Sequence, residues 1–167
     1  RMQAGNYFKR PGSDKNYSIN EILKMTADAS RGKQVFTTRC ASCHKVGSEG
    51  NTIGPDLTTI GKKFDKPALL DAIINPSAAI VFGYEAWMVN TKDGESLDGF
   101  LLSENQDAMV IKDVAGQKHI IALNKITSKK KQEKSLMPDP VSNGLTEQNL
   151  ADVTAYLKTQ ADKGGAH

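Results

Sequence analysis

The chain has 167 residues, 38% of them hydrophobic and 25% charged, with a net charge of +3. This is the balance of an ordinary soluble protein with one domain, or one domain carrying a small insert. It lacks the dense basic stripe of a nucleic-acid binder, and no apolar run approaches the roughly 18 residues of a membrane span.

Taken in chain order, Arg1 to Arg10 is polar and carries no signal peptide, as expected of a mature form or of a domain cut from a longer protein. Ser18-Ile19-Asn20-Glu21 is a capping-box pattern before Ile22, Leu23 and Met25, and predicts a short helix packed on the domain. Ser30 can cap a helix over about 31–38. Gly32 and Phe36 lie four apart on one face of it, and a glycine there permits close approach by another helix.

The only cysteines follow directly, in Cys40-Ala41-Ser42-Cys43-His44. A disulfide across so short a loop would restrain little of the unfolded chain. C-x-x-C-H is instead the attachment signature of c-type haem. Two thiols three residues apart reach two vinyl positions on one porphyrin edge, and the next side chain, His44, is held beneath the iron as an axial ligand. A thioredoxin-like dithiol would want a preceding strand and a βαβ context, which is not evident. A zinc site would need a third and fourth ligand, and His119 and His167 are the only other histidines. Chance occurrence of the motif is the remaining alternative.

Gly54-Pro55-Asp56-Leu57 comes next. Pro55 fixes the chain beside the histidine, and its carbonyl is placed to accept the proton of the second ring nitrogen of His44, orienting the imidazole and raising its basicity. A plain turn is the simpler alternative. Asp65 caps a predicted helix over about 66–75, with Pro67 in its first turn, an apolar face of Leu69, Leu70, Ile73 and Ile74, and a stop at Asn75-Pro76.

Residues 84–130 change character, with β-branched and aromatic runs punctuated by turns. Strands are predicted near 84–91, 95–102, 108–113 and 117–123, with Asp93-Gly94 a strong hairpin signal and Ala115-Gly116 a second turn. Tyr84, Trp87 and Phe100 would form the core of this segment or a partner surface; His119 reads as a surface or half-buried residue rather than an iron ligand. The run Lys129-Lys130-Lys131, with Lys134, precedes Met137. It would either ring an exposed haem edge and steer an acidic redox partner or lie in a solvated loop; Lys62 and Lys63 would extend the patch. Thr146 caps a predicted helix over about 147–160, with Leu150, Val153 and Leu157 in its stripe and Tyr156 beside it.

These pieces together resemble a class I cytochrome c: Gly32 and Phe36, Cys40 to His44, Gly54 to Leu57, Ser135-Leu136-Met137-Pro138 and the helix around Tyr156. The resemblance covers about residues 27–160. It implies a mainly α cytochrome c fold, with N- and C-terminal helices crossing and a helix at about 66–75. It also implies one covalent haem c, with Pro55 and Leu57 lining it and Met137 as the second axial ligand opposite His44. Met2, Met25, Met88 and Met109 then read as packing residues.

His44 and Met137 are 93 residues apart, long for such a domain, and removal of the 47 residues of 84–130 would leave 46. The expected organisation is therefore an N-terminal extension, 1–26, a cytochrome c domain of 27–83 and 131–163, and a small antiparallel β insert, 84–130. More narrowly, the chain resembles the haem-binding domain often joined to large exported bacterial proteins.

The function implied is electron transfer, as a carrier or redox domain in the periplasm or otherwise exported, with no substrate turnover of its own. Its partner would be a redox protein, acidic in one reading, or an upstream dehydrogenase domain. Two other readings stand beside it: a haem sensor or peroxidase-like protein with a labile sixth ligand, and a redox module whose β insert mainly docks a partner.

Overall fold

Helices begin where the capping residues stand. In a computed structural model, which describes residues 7–8 and 17–164, the Ser18 hydroxyl accepts the Glu21 amide at 3.3 Å and opens α1 (Ile19–Lys24). α2 (Ala29–Arg39) starts earlier than expected, because Asp28 rather than Ser30 is the cap: its carboxylate accepts the Arg31 amide at 2.9 Å. A carboxylate at this end also meets the positive pole of the helix. A one-turn helix not anticipated from the sequence, α3 (Ile60–Lys63), precedes α4 (Lys66–Ile74). α4 has the expected Asp65 cap, first-turn Pro67 and stop before Asn75-Pro76. α5 (Glu147–Gly164) is opened by a reciprocal pair: the Asn149 amide donates to the Thr146 hydroxyl at 3.1 Å and the Thr146 amide to the Asn149 side chain at 2.9 Å.

The helices share one core. Phe36 and Val35 of α2, Leu70 and Ile74 of α4, and Leu150, Val153, Tyr156 and Leu157 of α5 bury together, with Tyr17, Ile19 and Ile22 from the N-terminal side. The Tyr17 hydroxyl donates to the Leu145 carbonyl at 2.9 Å, so this segment is fastened to the chain just before α5. Strand β1 (Tyr7–Phe8) pairs antiparallel with β2 (Tyr17–Ser18). The rest of the expected 1–26 extension, residues 1–6 and 9–16, lies outside the described residues, as does Met2.

α2 crosses α5 at Gly32. A β-carbon there would fall 1.9 Å from the Asp152 carbonyl oxygen and 2.8 Å from the Tyr156 β-carbon, so only glycine lets the backbones touch. The Phe36 and Tyr156 rings meet one turn on, 5.7 Å between centroids. Gly61 of α3 repeats the device on the same helix: its β-carbon would lie 2.8 Å from the Leu157 carbonyl oxygen. Asp152, 1% exposed, locks the crossing. It accepts the Asp28 amide at 2.9 Å, Arg31 Nε at 2.9 Å and Gln148 Nε2 at 2.9 Å. Burial pushes its pKa up, but these hydrogen bonds outweigh burial and hold it below the ordinary aspartate value.

Between α4 and α5 runs a five-stranded antiparallel sheet. In chain order its strands are β5 (Ala86–Thr91), β6 (Ser96–Glu104), β7 (Ala108–Lys112), β8 (Lys118–Ala122) and β9 (Ile126–Lys131). In space the order is β8-β7-β6-β5-β9. The smaller pair β3 (Lys45–Val46) and β4 (Glu49–Gly50) sits beside the cysteine motif. The large sheet has its own buried cluster of Val89, Met109, Ile111 and Ile121, flanked by Trp87, Leu97, Leu101, Leu123 and Ile126. Tyr84 packs edge-on against Phe100 at 5.6 Å. The aromatics and Met109 thus pack the sheet.

Two points refine the sequence reading. With about a quarter of the residues in strands beside five α-helices among the described residues, "mainly α" holds only loosely. The lysine run is not a loop: Lys129, Lys130 and Lys131 lie on β9, a fifth strand at the sheet edge, paired with Val89, Met88 and Trp87 of β5. Exposed lysines on an edge strand deter further strand pairing, and Lys129 forms an ion pair with Glu104 of β6.

Candidate haem site

The cysteine motif is the C-terminal end of α2. Cys40 is the C-cap residue, its amide still bonded to the Phe36 carbonyl at 2.9 Å. The chain then doubles back in one tight turn, with the Cys43 and His44 amides both donating to the Cys40 carbonyl at 3.1 and 2.9 Å. This turn presents the two thiols and the imidazole from five consecutive residues. Both thiols are free and half-buried. Burial, reinforced by the neighbouring Cys43, raises the Cys40 pKa to about 11.

His44 is oriented by the loop that follows. Its Nδ1 lies 2.8 Å from the Pro55 carbonyl oxygen. A carbonyl can only accept, so Nδ1 carries the proton and the free electron pair belongs to Nε2. Burial lowers the His44 pKa, against the opposing pull of the Pro55 bond, which favours the neutral ring that can ligate a metal.

Gly54 makes the seat for that ring: a β-carbon at residue 54 would come 2.9 Å from His44 Cε1 and 3.1 Å from Nδ1. The Gly54 amide donates to the Cys43 carbonyl at 2.6 Å, tying the loop back to the motif. Gly50, with φ +99°, makes the second close approach, where a β-carbon would strike the His44 carbonyl oxygen at 2.0 Å. Neither role was legible in the sequence, since each depends on where a distant ring or carbonyl falls. The Leu57 amide donates to the Lys45 carbonyl at 2.8 Å and its side chain, half-buried, packs on the helical core.

Cys40, Cys43, His44 and Pro55 are therefore joined by direct hydrogen bonds of one turn and one loop, with Leu57 at the loop's far end. Met137 is connected to them only indirectly. Its amide donates to the Ser135 hydroxyl at 3.1 Å, and the Ser135 amide to the Ser77 hydroxyl beyond α4 at 2.9 Å. Farther along the same loop, Asn143 Nδ2 donates to the Arg39 carbonyl at 3.2 Å, next to Cys40. The loop bearing Met137 is thus pinned to the ends of both α4 and α2. The Ser77–Ser135 bond joins residues 58 apart, and no local pattern announces it.

His119 is half-buried and bonded to Asp113 at 2.8 Å. Met25 and Met109 pack in the two cores, and Met88 lies on β5. Among the described residues no group of three or more His, Cys, Asp or Glu is placed to hold a metal ion. Also among them, no helix is long and apolar enough to cross a membrane. The donor set fits haem c: two free thiols at the required spacing, and an adjacent imidazole whose Nδ1 is already engaged.

Comparison with known proteins agrees. The family model "Cytochrome c" matches residues 29–112, a stretch that includes α2, the cysteine motif and Gly54 to Leu57 but stops before Met137. A "Cytochrome c-553-like" protein of Synechocystis sp. (strain ATCC 27184 / PCC 6803 / Kazusa) is 26% identical over 57 residues, 34% of this chain and 53% of that protein. Cytochrome c of Stellaria longipes is 58% identical over 31 residues, covering 18% of this chain and 29% of the relative. Cytochrome c of Arabidopsis thaliana is 47% identical over 36 residues, covering 21% and 32%. The chain spans about half or less of the length of these relatives. With half of its residues matched by the family model around a thiol pair and an oriented imidazole, this chain belongs to the cytochrome c family.

Proposed function

We infer that this chain transfers electrons through one covalently bound haem c, held by thioethers from Cys40 and Cys43 and ligated by His44 and Met137. The observation that carries the reading is the His44–Pro55 bond of 2.8 Å directly after the thiol pair, which commits Nδ1 and leaves Nε2 as the ligand atom. When bound, the haem supplies an iron that cycles between ferric and ferrous states. Cys40 and Cys43 fix its orientation relative to α2. The Pro55 carbonyl strengthens His44 as an electron donor, and a Met137 thioether favours the ferrous form. With His44 and Met137 both holding the iron, no coordination site would be left for small molecules, which suits outer-sphere exchange rather than oxygen chemistry.

Pro55 and Leu57 would line the haem. The separate hydrophobic cluster of the sheet supports its reading as a subdomain, 84–130, set into a cytochrome c domain of 27–83 and 131–163. The exposed lysines of β9, with Lys62 and Lys63 at the end of α3, suit an acidic redox partner. Haem attachment through thioethers places the protein in the periplasm or another exported setting, as a carrier or a redox domain of a larger protein.

The test is the mass and the reduced-minus-oxidised spectrum of protein matured in a haem-competent periplasm, alongside Met137→Ala. One haem mass and a low-spin spectrum that becomes high-spin and binds CO in the variant are expected. A bare polypeptide mass sinks the haem reading, and a CO-binding wild type sinks Met137 as ligand.

A further inference from the structure

The β7–β8 hairpin reaches back to the loop that orients His44. Lys112, the last residue of β7, donates from Nζ to the Thr52 carbonyl at 3.0 Å, across 60 residues of sequence. At the hairpin tip, Gly116 faces Ile53: a β-carbon at residue 116 would lie 3.6 Å from both Ile53 Cδ1 and Cγ1. Ile53 is 9% exposed although it stands in a surface loop and belongs to neither hydrophobic cluster. Thr52 and Ile53 lead directly into Gly54, the seat of the imidazole, and Pro55, its hydrogen-bond acceptor.

The tip is built to be stiff. Lys112 pairs with Phe100 on one side and Lys118 on the other. One carboxylate oxygen of Asp113 accepts the Ala115 and Gln117 amides at 3.0 and 2.9 Å, and the other accepts His119 Nε2 at 2.8 Å. Gly116 takes φ +84°, which only glycine adopts readily, to complete the turn. On its inner side the loop is tied to the cysteine turn by the Asn51 amide on the Ala41 carbonyl at 3.0 Å and the Gly54 amide on the Cys43 carbonyl at 2.6 Å. The hairpin closes the outer side.

The geometry points to a positioning role for the sheet: Lys112 and the Gly116 tip clamp residues 52–53 and thereby hold the Pro55 carbonyl on His44, setting the donor strength of the imidazole and with it the reduction potential. This rests on His44 being the axial ligand. A loosened clamp lets Pro55 drift, weakens the Nδ1–H···O=C bond and makes the imidazole a poorer donor to ferric iron, so the potential rises.

The experiment uses the haem-loaded protein and the variants Lys112→Met, Ile53→Ala and Lys112→Arg. Hydrogen exchange of the Gly54 amide and the His44 Nδ1 proton is followed by NMR in the reduced state, and the potential by spectroelectrochemistry. In Lys112→Met and Ile53→Ala both protons exchange about tenfold faster, the size expected from losing one modest tertiary contact, and the potential moves positive. The Leu150 and Met109 amides of the two cores keep wild-type rates, and Lys112→Arg restores both readouts. Unchanged exchange and potential in both variants overturn the clamp. So does acceleration of Leu150 equal to that of Gly54, which means general loosening. A wild type without haem, or with haem lacking histidine ligation, overturns the reading of His44 together with the clamp, and shows itself before any variant is measured.

Discussion

Gly32 of α2 rests its backbone on the carbonyl of Asp152 in α5, leaving no room for a methyl group, since a β-carbon would fall 1.9 Å from that oxygen. Gly32→Ala must therefore push the two helices apart. The gain in helix propensity, about 1 kcal/mol, is smaller than the loss of packing along the whole interface, so a net destabilisation of about 2–4 kcal/mol is expected in urea unfolding. Gly61→Ala, where the nearest atom is 2.8 Å away, should cost less. A neutral Gly32→Ala would show that the helices can separate freely.

Asp152 gives stability an acid limb. Its folded pKa lies below the unfolded value because Arg31, the Asp28 amide and Gln148 prefer the carboxylate, overcoming the opposite push of burial. Its contribution is thus full above the unfolded pKa of about 3.9 and disappears as pH falls through the lower folded value. Asp152→Asn should cost about 1–2 kcal/mol at pH 7, discounted because Arg31 is half exposed. The gap from wild type should narrow toward pH 3. Urea melts across pH 3–7 measure it, and a constant gap would remove the carboxylate from the argument.

Gly54→Ala places a methyl group 2.9 Å from His44 Cε1. The ring must turn or shift, which lengthens the Nδ1–Pro55 bond. The potential of the haem-loaded variant should rise by a few tens of millivolts, where about 59 mV is a tenfold change in relative stability of the two oxidation states. An unaltered potential would show that the ring has another place to rest.

Cys40, with its pKa raised to about 11, holds little thiolate near neutrality. In the haem-free chain under folding conditions, iodoacetamide should modify Cys40 at pH 8 about tenfold more slowly than an ordinary free thiol, lower nucleophile content being partly offset by a more reactive thiolate. In urea the difference should vanish. Peptide mapping by mass spectrometry reads both states, and rapid labelling without denaturant would contradict the burial.

What could be read from the sequence was what chemistry or local geometry fixes at short range. Cys40 to His44 is legible because porphyrin attachment dictates the spacing. α4 is legible because Asp65, Pro67 and Pro76 mark both ends. Asp93-Gly94 marks its hairpin, and Gly94 takes φ +87° as that turn requires. The N-cap of α2 is ambiguous by two residues in the sequence because Asp28 and Ser30 are both competent caps, and what separates them is Asp152, 124 residues away, which accepts the Asp28 amide. α3 is four residues long, too short to show a period. β9 is silent in the sequence because Thr127 to Lys131 is exposed throughout, so no alternation of apolar and polar residues marks it as a strand. Gly54 is invisible as a ring seat until the ring is placed.

The pairing of α2 with α5 also carries a timetable. Residues 29–39 close upon residues 147–164, and bringing segments so far apart together is a slow step that cannot begin until the latter exist. Before then the core against which Cys40 packs lacks Leu150, Val153 and Leu157 of α5. Docking of the distal helix therefore completes the packing of the thiol-bearing end of α2.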